Sequence, residues 1–233
     1  MSMQDVVSEE KWLAKRRELL TQEKEFTRLR DELSAARREM PWALVAEDYL
    51  FESNNGPVRL SELFGTHSQL VIYHFMYGPD WDVGCKSCSF WADSYDGIDA
   101  HLAARDVALV AISRTTMDKI NNFKDRMNWS FNWISSLNNN FNFDYHVSFS
   151  DEDQASGKTM YNFAEKPIGT DELPGFSVFV KGKDGQMYHS YSTYGRGLDL
   201  MNTAYNILDL VPKGRDEEGL PHTMSWLKLK DEY

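Results

Sequence analysis

Cysteine is scarce: the 233 residues hold two, Cys85 and Cys88. That is too few for a disulfide scaffold, and in a reducing compartment a structural bridge rarely persists. Two cysteines three positions apart point instead to redox chemistry or to a metal. A basic surface is also missing. The formal net charge is −11, so phosphate neutralisation and counterion release cannot hold the chain on nucleic acid, nor does an acidic whole favour an anionic membrane. No apolar run approaches the roughly 20 residues of a membrane helix. The N-terminus lacks the basic-then-apolar order of an export signal, which makes the cytoplasm the expected location. No internal repeat or low-complexity segment is present. What remains is a chain with 42% hydrophobic and 13% aromatic residues, enough to bury a core and offset the entropy of ordering. Its length suits one domain with appendages.

Along the chain, the stretch from Ser8 to Met40 is charged, with Trp12, Leu19, Phe26 and Leu33 spaced at sevens. This predicts a long amphipathic helix capped by Ser8, with Glu9 and Glu10 in its first turn, ended by Pro41. Such a stripe either packs on its own domain or serves as a homodimerisation arm. Tyr49–Glu52 and Val58–Leu60 flank an Asn-Asn-Gly-Pro turn and suggest a hairpin. Leu70–Met76 reads as a buried strand, followed by the cysteine loop and a helical pattern through Phe90, Trp91, Tyr95, Ile98 and Leu102. A second buried strand at Val107–Ser113 completes a βαβ unit, which demands a right-handed crossover and parallel pairing. Met117–Met127 reads as a helix and Asn128–Asp144 as an aromatic, Asn-rich loop. Phe176–Val180 and Gln186–Tyr191 form a hairpin, and Gly197–Leu210 a last helix. The order is that of a thioredoxin-like α/β fold, three layers around a central mixed sheet. It carries a helical extension at 1–40, the domain at 41–212 and a C-terminal tail at 213–233 packed on the domain.

Cys85-Lys86-Ser87-Cys88 falls where a loop enters a helix after a buried strand. A thiol there meets unpaired backbone N–H groups that favour the thiolate, so Cys85 is the expected nucleophile. Cys88, one turn inside, is the expected resolving thiol. The bland alternative is two buried structural cysteines. Zinc normally needs four ligands, and His67, His74, His101, His146, His189 and His222 are scattered without ligand spacing, so no metal is expected. Ser89 stands where haem attachment would need a histidine, and no other cofactor is implied. Lys86 adds a cation beside the thiols, or is simply solvated. His74, in the preceding strand, is either a proton acceptor beneath the pair or a satisfied core residue. Asp80 and Asp82 are loop caps or acids near the thiols, Pro174 is a candidate cis proline facing the pair, and Arg196 a candidate anion contact.

The segments Met40-Pro41-Trp42, QLVIYHFMYGPDWDVGCKSCS from Gln69, Arg126-Met127 with Trp129, Tyr161-Asn162, HSYSTYGRG from His189, Gly214-Arg215, Trp226 and the terminal Asp231-Glu232-Tyr233 carry a resemblance over nearly the whole chain. The chain resembles a bacterial thioredoxin-like family of unknown function (a DUF family) described as predicted dithiol-disulfide oxidoreductases. The resemblance implies a thioredoxin-like fold and thiol-disulfide oxidoreductase activity, with a disulfide-containing protein or a small thiol or disulfide as partner. The chain is also similar to peroxiredoxins in general architecture. It departs from their Pro-x3-Thr/Ser-x2-Cys loop, because Pro79 stands one residue too close to Cys85 and no Thr or Ser falls between. A thiol peroxidase, and a non-catalytic scaffold, are therefore the alternatives to an exchange enzyme.

Overall fold

Ser8 begins the first helix as its residue type predicts. In the computed structural model, which describes residues 5–233, its hydroxyl accepts from the Lys11 N–H, and α1 runs Glu9–Glu39 with Arg37 and Arg38 in the last turn. The chain divides into two compact units after Pro41. Among the described residues, no helix is long and apolar enough to cross a membrane.

The second unit opens with β1 (Ala43–Leu44), β2 (Leu50–Ser53), β3 (Gly56–Arg59) and α2 (Leu60–Leu63), and reaches β4 (Gln69–His74). Then follow α3 (Lys86–Ala92), α4 (Asp99–Ala103), β5 (Val107–Ser113), α5 (Met117–Met127), β6 (Asn132–Ser135), α6 (Phe141–Asp144) and α7 (Asp151–Ser156). A small hairpin, β7 (Thr159–Tyr161) and β8 (Ala164–Lys166), precedes β9 (Gly175–Lys181) and β10 (Met187–Tyr194). A 3-10 helix (Gly195–Met201), α8 (Thr203–Leu208) and a terminal 3-10 turn (Lys230–Glu232) complete the chain. The main sheet has eight strands in the order β1-β10-β9-β4-β5-β6-β2-β3. β4, β5 and β6 are parallel, whereas β9 runs antiparallel to β4 and β10 to β9. Two crossovers feeding a parallel core, closed by an antiparallel hairpin, make this a thioredoxin-like fold with a mixed central sheet.

Side chains alternate across a strand, so β4 serves two cores. Tyr73 and Phe75 point to the face covered by α3, α5 and α8, where they pack with Cys88, Trp91, Phe123 and Tyr205. Leu70 and Ile72 point to the other face, with Leu63 and Phe64 at α2 and Phe141 of α6. On the first face the C-terminal segment is pinned by Glu217. Its Oε1 accepts from the Tyr205 hydroxyl at 2.7 Å, the Met224 N–H at 2.9 Å and the Trp226 indole at 2.7 Å.

The structure corrects three expectations. The helical pattern from Phe90 to Leu102 is two helices, because Gly97 takes a left-handed φ of 81° between them and Asp96 turns outward to accept the Ser130 N–H at 2.6 Å. The Asn-rich stretch 128–144 contains β6 and α6; pairing of four residues with β5 prevails over the weak strand preference of Asn132. The last helix is broken at Asn202, whose extended backbone and side chain cap α8 through the Tyr205 N–H at 2.8 Å.

Candidate functional site: the Cys85–Cys88 loop

The loop from Phe75 to Gly84 is held at several points before it delivers the cysteines. The Phe75 N–H donates to Ile112 O at 2.9 Å, and the Ser113 hydroxyl to Phe75 O at 2.7 Å. Lys119 of α5 bridges the carbonyls of Pro79 and Trp81 at 2.6 and 2.9 Å, and the Trp81 indole donates to Asp171 at 3.2 Å. Gly84 is required by space: a Cβ there would lie 2.8 Å from the rings of both Phe123 and Phe75. The Cys85 N–H then donates to Met76 O at 3.0 Å, which fixes the outer cysteine against the end of the strand.

Cys85 is the N-cap of α3. Its Sγ accepts the Cys88 N–H at 3.5 Å, and its carbonyl accepts from the Ser89 N–H at 2.9 Å and hydroxyl at 3.0 Å. Both thiols are free, Cys85 half-buried and Cys88 buried. The Cys88 thiol donating to the Cys85 sulfur pulls the Cys85 pKa down to about 7, against the effect of burial, and the Cys88 and Ser87 N–H groups and the Ser87 hydroxyl add to the pull. Burial pushes the Cys88 thiol well up, and the neighbouring Cys85 charge adds to this. The two sulfurs are therefore unlike, one inclined to ionise near neutral pH and one holding its proton.

Beside Cys88 opens a cleft of about 170 Å³ walled by Met76, Trp91, Leu198 and Met224. Tyr73, Pro174 and Arg196 line it too, so the fold brings Pro174 and Arg196 to the inner cysteine. Met224 takes a left-handed φ of 65°, an uncommon conformation for a residue with a side chain. Pro174 is trans, since no peptide bond among the described residues is cis. Its segment is anchored by Glu172, which accepts from Arg114 Nε at 2.8 Å and from the Ser148 hydroxyl. Burial raises the Glu172 pKa to about 7 although Arg114 opposes it. Arg196 is exposed and pairs with Asp199 at 3.3 Å.

The remaining candidates add little to the pair or lie away from it. Lys86 is exposed, as are Asp80 and Asp82, and none of the three is among the main influences on Cys85. His74 does not lie beneath the cysteines. It follows Tyr73 by one residue and so faces the opposite side of the sheet, where it stacks on Phe141 at 5.6 Å and Tyr145 at 6.1 Å. There Nε2 meets the Ser177 hydroxyl at 2.8 Å, which meets Ser192 at 2.8 Å, which meets His189 Nε2 at 2.7 Å. A bulge between His189 and Tyr191 gives β10 the register that closes this chain. Burial, then the charge of His189, drives the His74 pKa down to about 3, so it is a neutral core group. The residue that reaches the cysteines from β4 is Tyr73, whose hydroxyl donates to Cys88 O at 3.1 Å. Strand alternation gives the signal for it once the face carrying α3 is known. Asp171 and Lys119, which tie the loop, had no local signal.

Among the described residues, no group of three or more His, Cys, Asp or Glu could hold a metal ion. A model of bacterial proteins of unknown function, DUF899, matches residues 1–233. The chain belongs to the DUF899 family. No curated protein matches this DUF899 chain in sequence. Among solved structures it is similar to peroxidoxin BcpB from Mycobacterium tuberculosis, with 16% identity over 70% of this chain and 93% of that one and a TM-score of 0.44. It is also similar to a peroxiredoxin Q of Xanthomonas campestris, with 14% identity over 72% and 98% and a TM-score of 0.46. Xylella fastidiosa PrxQ gives 11% identity over 72% and 98% and a TM-score of 0.44.

Proposed function

We propose that this DUF899 protein is a dithiol-disulfide oxidoreductase in which Cys85 attacks and Cys88 resolves. The observation that carries the reading is the asymmetry of the pair. A half-buried sulfur capped by the Cys88 N–H has its pKa lowered, while its neighbour is buried, protonated and beside a cleft. The Cys85 thiolate attacks one sulfur of a substrate disulfide, forms a mixed disulfide and expels the other sulfur as a thiolate. Cys88 then loses its proton and attacks the Cys85 sulfur. The bond to the substrate breaks, its second sulfur leaves, and a Cys85–Cys88 disulfide remains. Two electrons pass to the substrate, and the two leaving thiolates take up two protons. Return to the dithiol needs an external thiol reductant. The partner class is thus a disulfide-bearing protein or a small disulfide, and Pro174 and Arg196 at the cleft would meet it.

Replacing Cys88 by serine removes the resolving step and leaves the attacking one. Expressed as Cys88→Ser, the full chain is expected to accumulate mixed disulfides at Cys85 that a reductant releases. A Cys88→Ser chain that carries none, and whose Cys85 fails to react with an added disulfide, overturns the reading. Rapid turnover of hydrogen peroxide through a sulfenic acid at Cys85 would instead make the protein a thiol peroxidase.

A further inference from the structure

The second step of the exchange makes a demand that the first does not. Cys85 begins inclined to ionise, whereas Cys88 must lose a proton inside the core while its neighbour is tied up in the mixed disulfide. The groups that face it are few. Tyr73 comes from β4, Tyr95 from the turn after α3, and Tyr161 from β7; Arg196 and Asp199 share its cleft, and Cys85 lies one turn before it. The histidine of the neighbouring position, His74, is on the other face of the sheet. Of the three tyrosines, Tyr161 already donates to Pro174 O at 2.8 Å and Tyr95 has a buried hydroxyl without a partner. Only Tyr73 among these donates to Cys88 itself, through the carbonyl at 3.1 Å. Its ring is held by Phe75, Tyr95 and Phe176, with centroids at 5.9, 5.2 and 5.0 Å.

Resting on the exchange reaction proposed above, we infer that Tyr73 is the positioning residue of its second step, its buried hydroxyl holding the Cys88 carbonyl at rest and turning its one O–H to the Cys88 sulfur as the thiolate forms. A donor to an anion in a largely buried site is worth more than one in bulk water, because less solvent competes for the charge. The direction of the Cys88 titration agrees: burial raises it, and the Met76 N–H and the Tyr73 hydroxyl both oppose that rise. Tyr73 is not a base, since burial pushes its own pKa well above the usual tyrosine value. The proton leaves to water in the cleft, the Cys88 sulfur bonds to the Cys85 sulfur, and the substrate thiolate departs.

The test uses the reduced full chain and an aromatic disulfide, dithiobis-nitrobenzoate, which releases one coloured thiolate when Cys85 attacks and a second when Cys88 resolves. Tyr73→Phe keeps the ring and removes the hydroxyl, so its melting temperature is expected to stay close to that of the wild type. The first release should stay within about twofold of wild type, while the second slows about tenfold at neutral pH, the scale of one lost hydrogen bond to a charged group. The deficit should shrink as the pH rises and Cys88 ionises unaided, a dependence that a purely structural role would not produce. Tyr95→Phe, which deletes a partnerless hydroxyl from the same cluster, should leave both releases unchanged. An unchanged second release in Tyr73→Phe, an equal slowing of both releases, or an equal effect of Tyr95→Phe overturns the assignment. A wild-type chain that releases only one thiolate overturns the exchange reaction itself, and with it any second step for Tyr73 to serve.

Discussion

The two faces of the central sheet each bury a reactive-looking set of side chains, and only one of them resembles a reaction centre. On the α3 face, Cys85 caps a helix and is half-buried, and its partner Cys88 lines a cleft. On the other face, His74, Ser177, Ser192 and His189 form a hydrogen-bonded chain across three strands, with His74 fully enclosed by aromatic rings. Residue chemistry alone would favour the histidines, which titrate nearest neutrality when free. Environment reverses this. Enclosure without a charge partner pushes His74 to about 3, whereas a neighbouring thiol and backbone donors bring Cys85 to about 7. A buried polar group becomes a candidate site when donors stabilise its charged form and solvent can reach it; otherwise it is part of the core.

Substitutions on the two faces should therefore separate chemistry from stability. The largest effect belongs to Cys85→Ser, expected to reduce disulfide exchange to background in a thiolate-release assay while leaving the melting temperature nearly unchanged. A residual rate near wild type would move the nucleophile to Cys88. His74→Ala is expected to do the reverse. Denaturant melts should show a loss of about 2–4 kcal/mol, from the cavity and from the hydrogen bond that Ser177 loses, with the rate of the first thiolate release unchanged.

The pH dependences should diverge in the same way. Iodoacetamide alkylation of Cys85, followed by mass mapping, should rise with a midpoint near the value of about 7 set by its donors, while Cys88 stays unmodified over that range. For His74 the folded value lies below the unfolded one, so the unfolded chain binds the extra proton. Its contribution is intact above the unfolded value of about 6.5 and is lost as the pH falls from there towards about 3. His74→Phe should then gain on the wild type by about 1.4 kcal/mol for each pH unit below that point. A constant difference between the two melts would mean that His74 already accepts a proton in the folded protein. The smallest effect is expected for Lys86→Ala. An exposed charge in water adds little, so the alkylation midpoint should move by less than about 0.3 pH units, and a larger shift would restore Lys86 to the site.

The sequence makes the frame of this site legible and leaves its lining obscure, for a physical reason. Strand β5 and helix α5 stand at the boundaries read from periodicity, and the cysteines sit at a loop-to-helix junction as their spacing suggests. Those features are local, set by alternation and by capping. The position of His74 is a one-residue matter that periodicity within a fully apolar strand cannot decide, because both faces of such a strand are buried. Pro174 and Arg196 are readable as candidates in the sequence, whereas Met224 reaches the cleft from far along the chain beside the Glu217 anchor. No local pattern encodes such a meeting. The same holds for β6, a strand whose identity comes from its neighbour rather than from its own residues.

The asymmetric thiol pair is the centre of the account, and a redox titration of the purified protein probes it most directly. Equilibrated in buffers of graded thiol-to-disulfide ratio and mapped by mass, the chain should pass through one reversible two-electron transition that links Cys85 to Cys88 within a single molecule. Two thiols that stay reduced across the whole range, or that oxidise only by joining separate molecules, would contradict it.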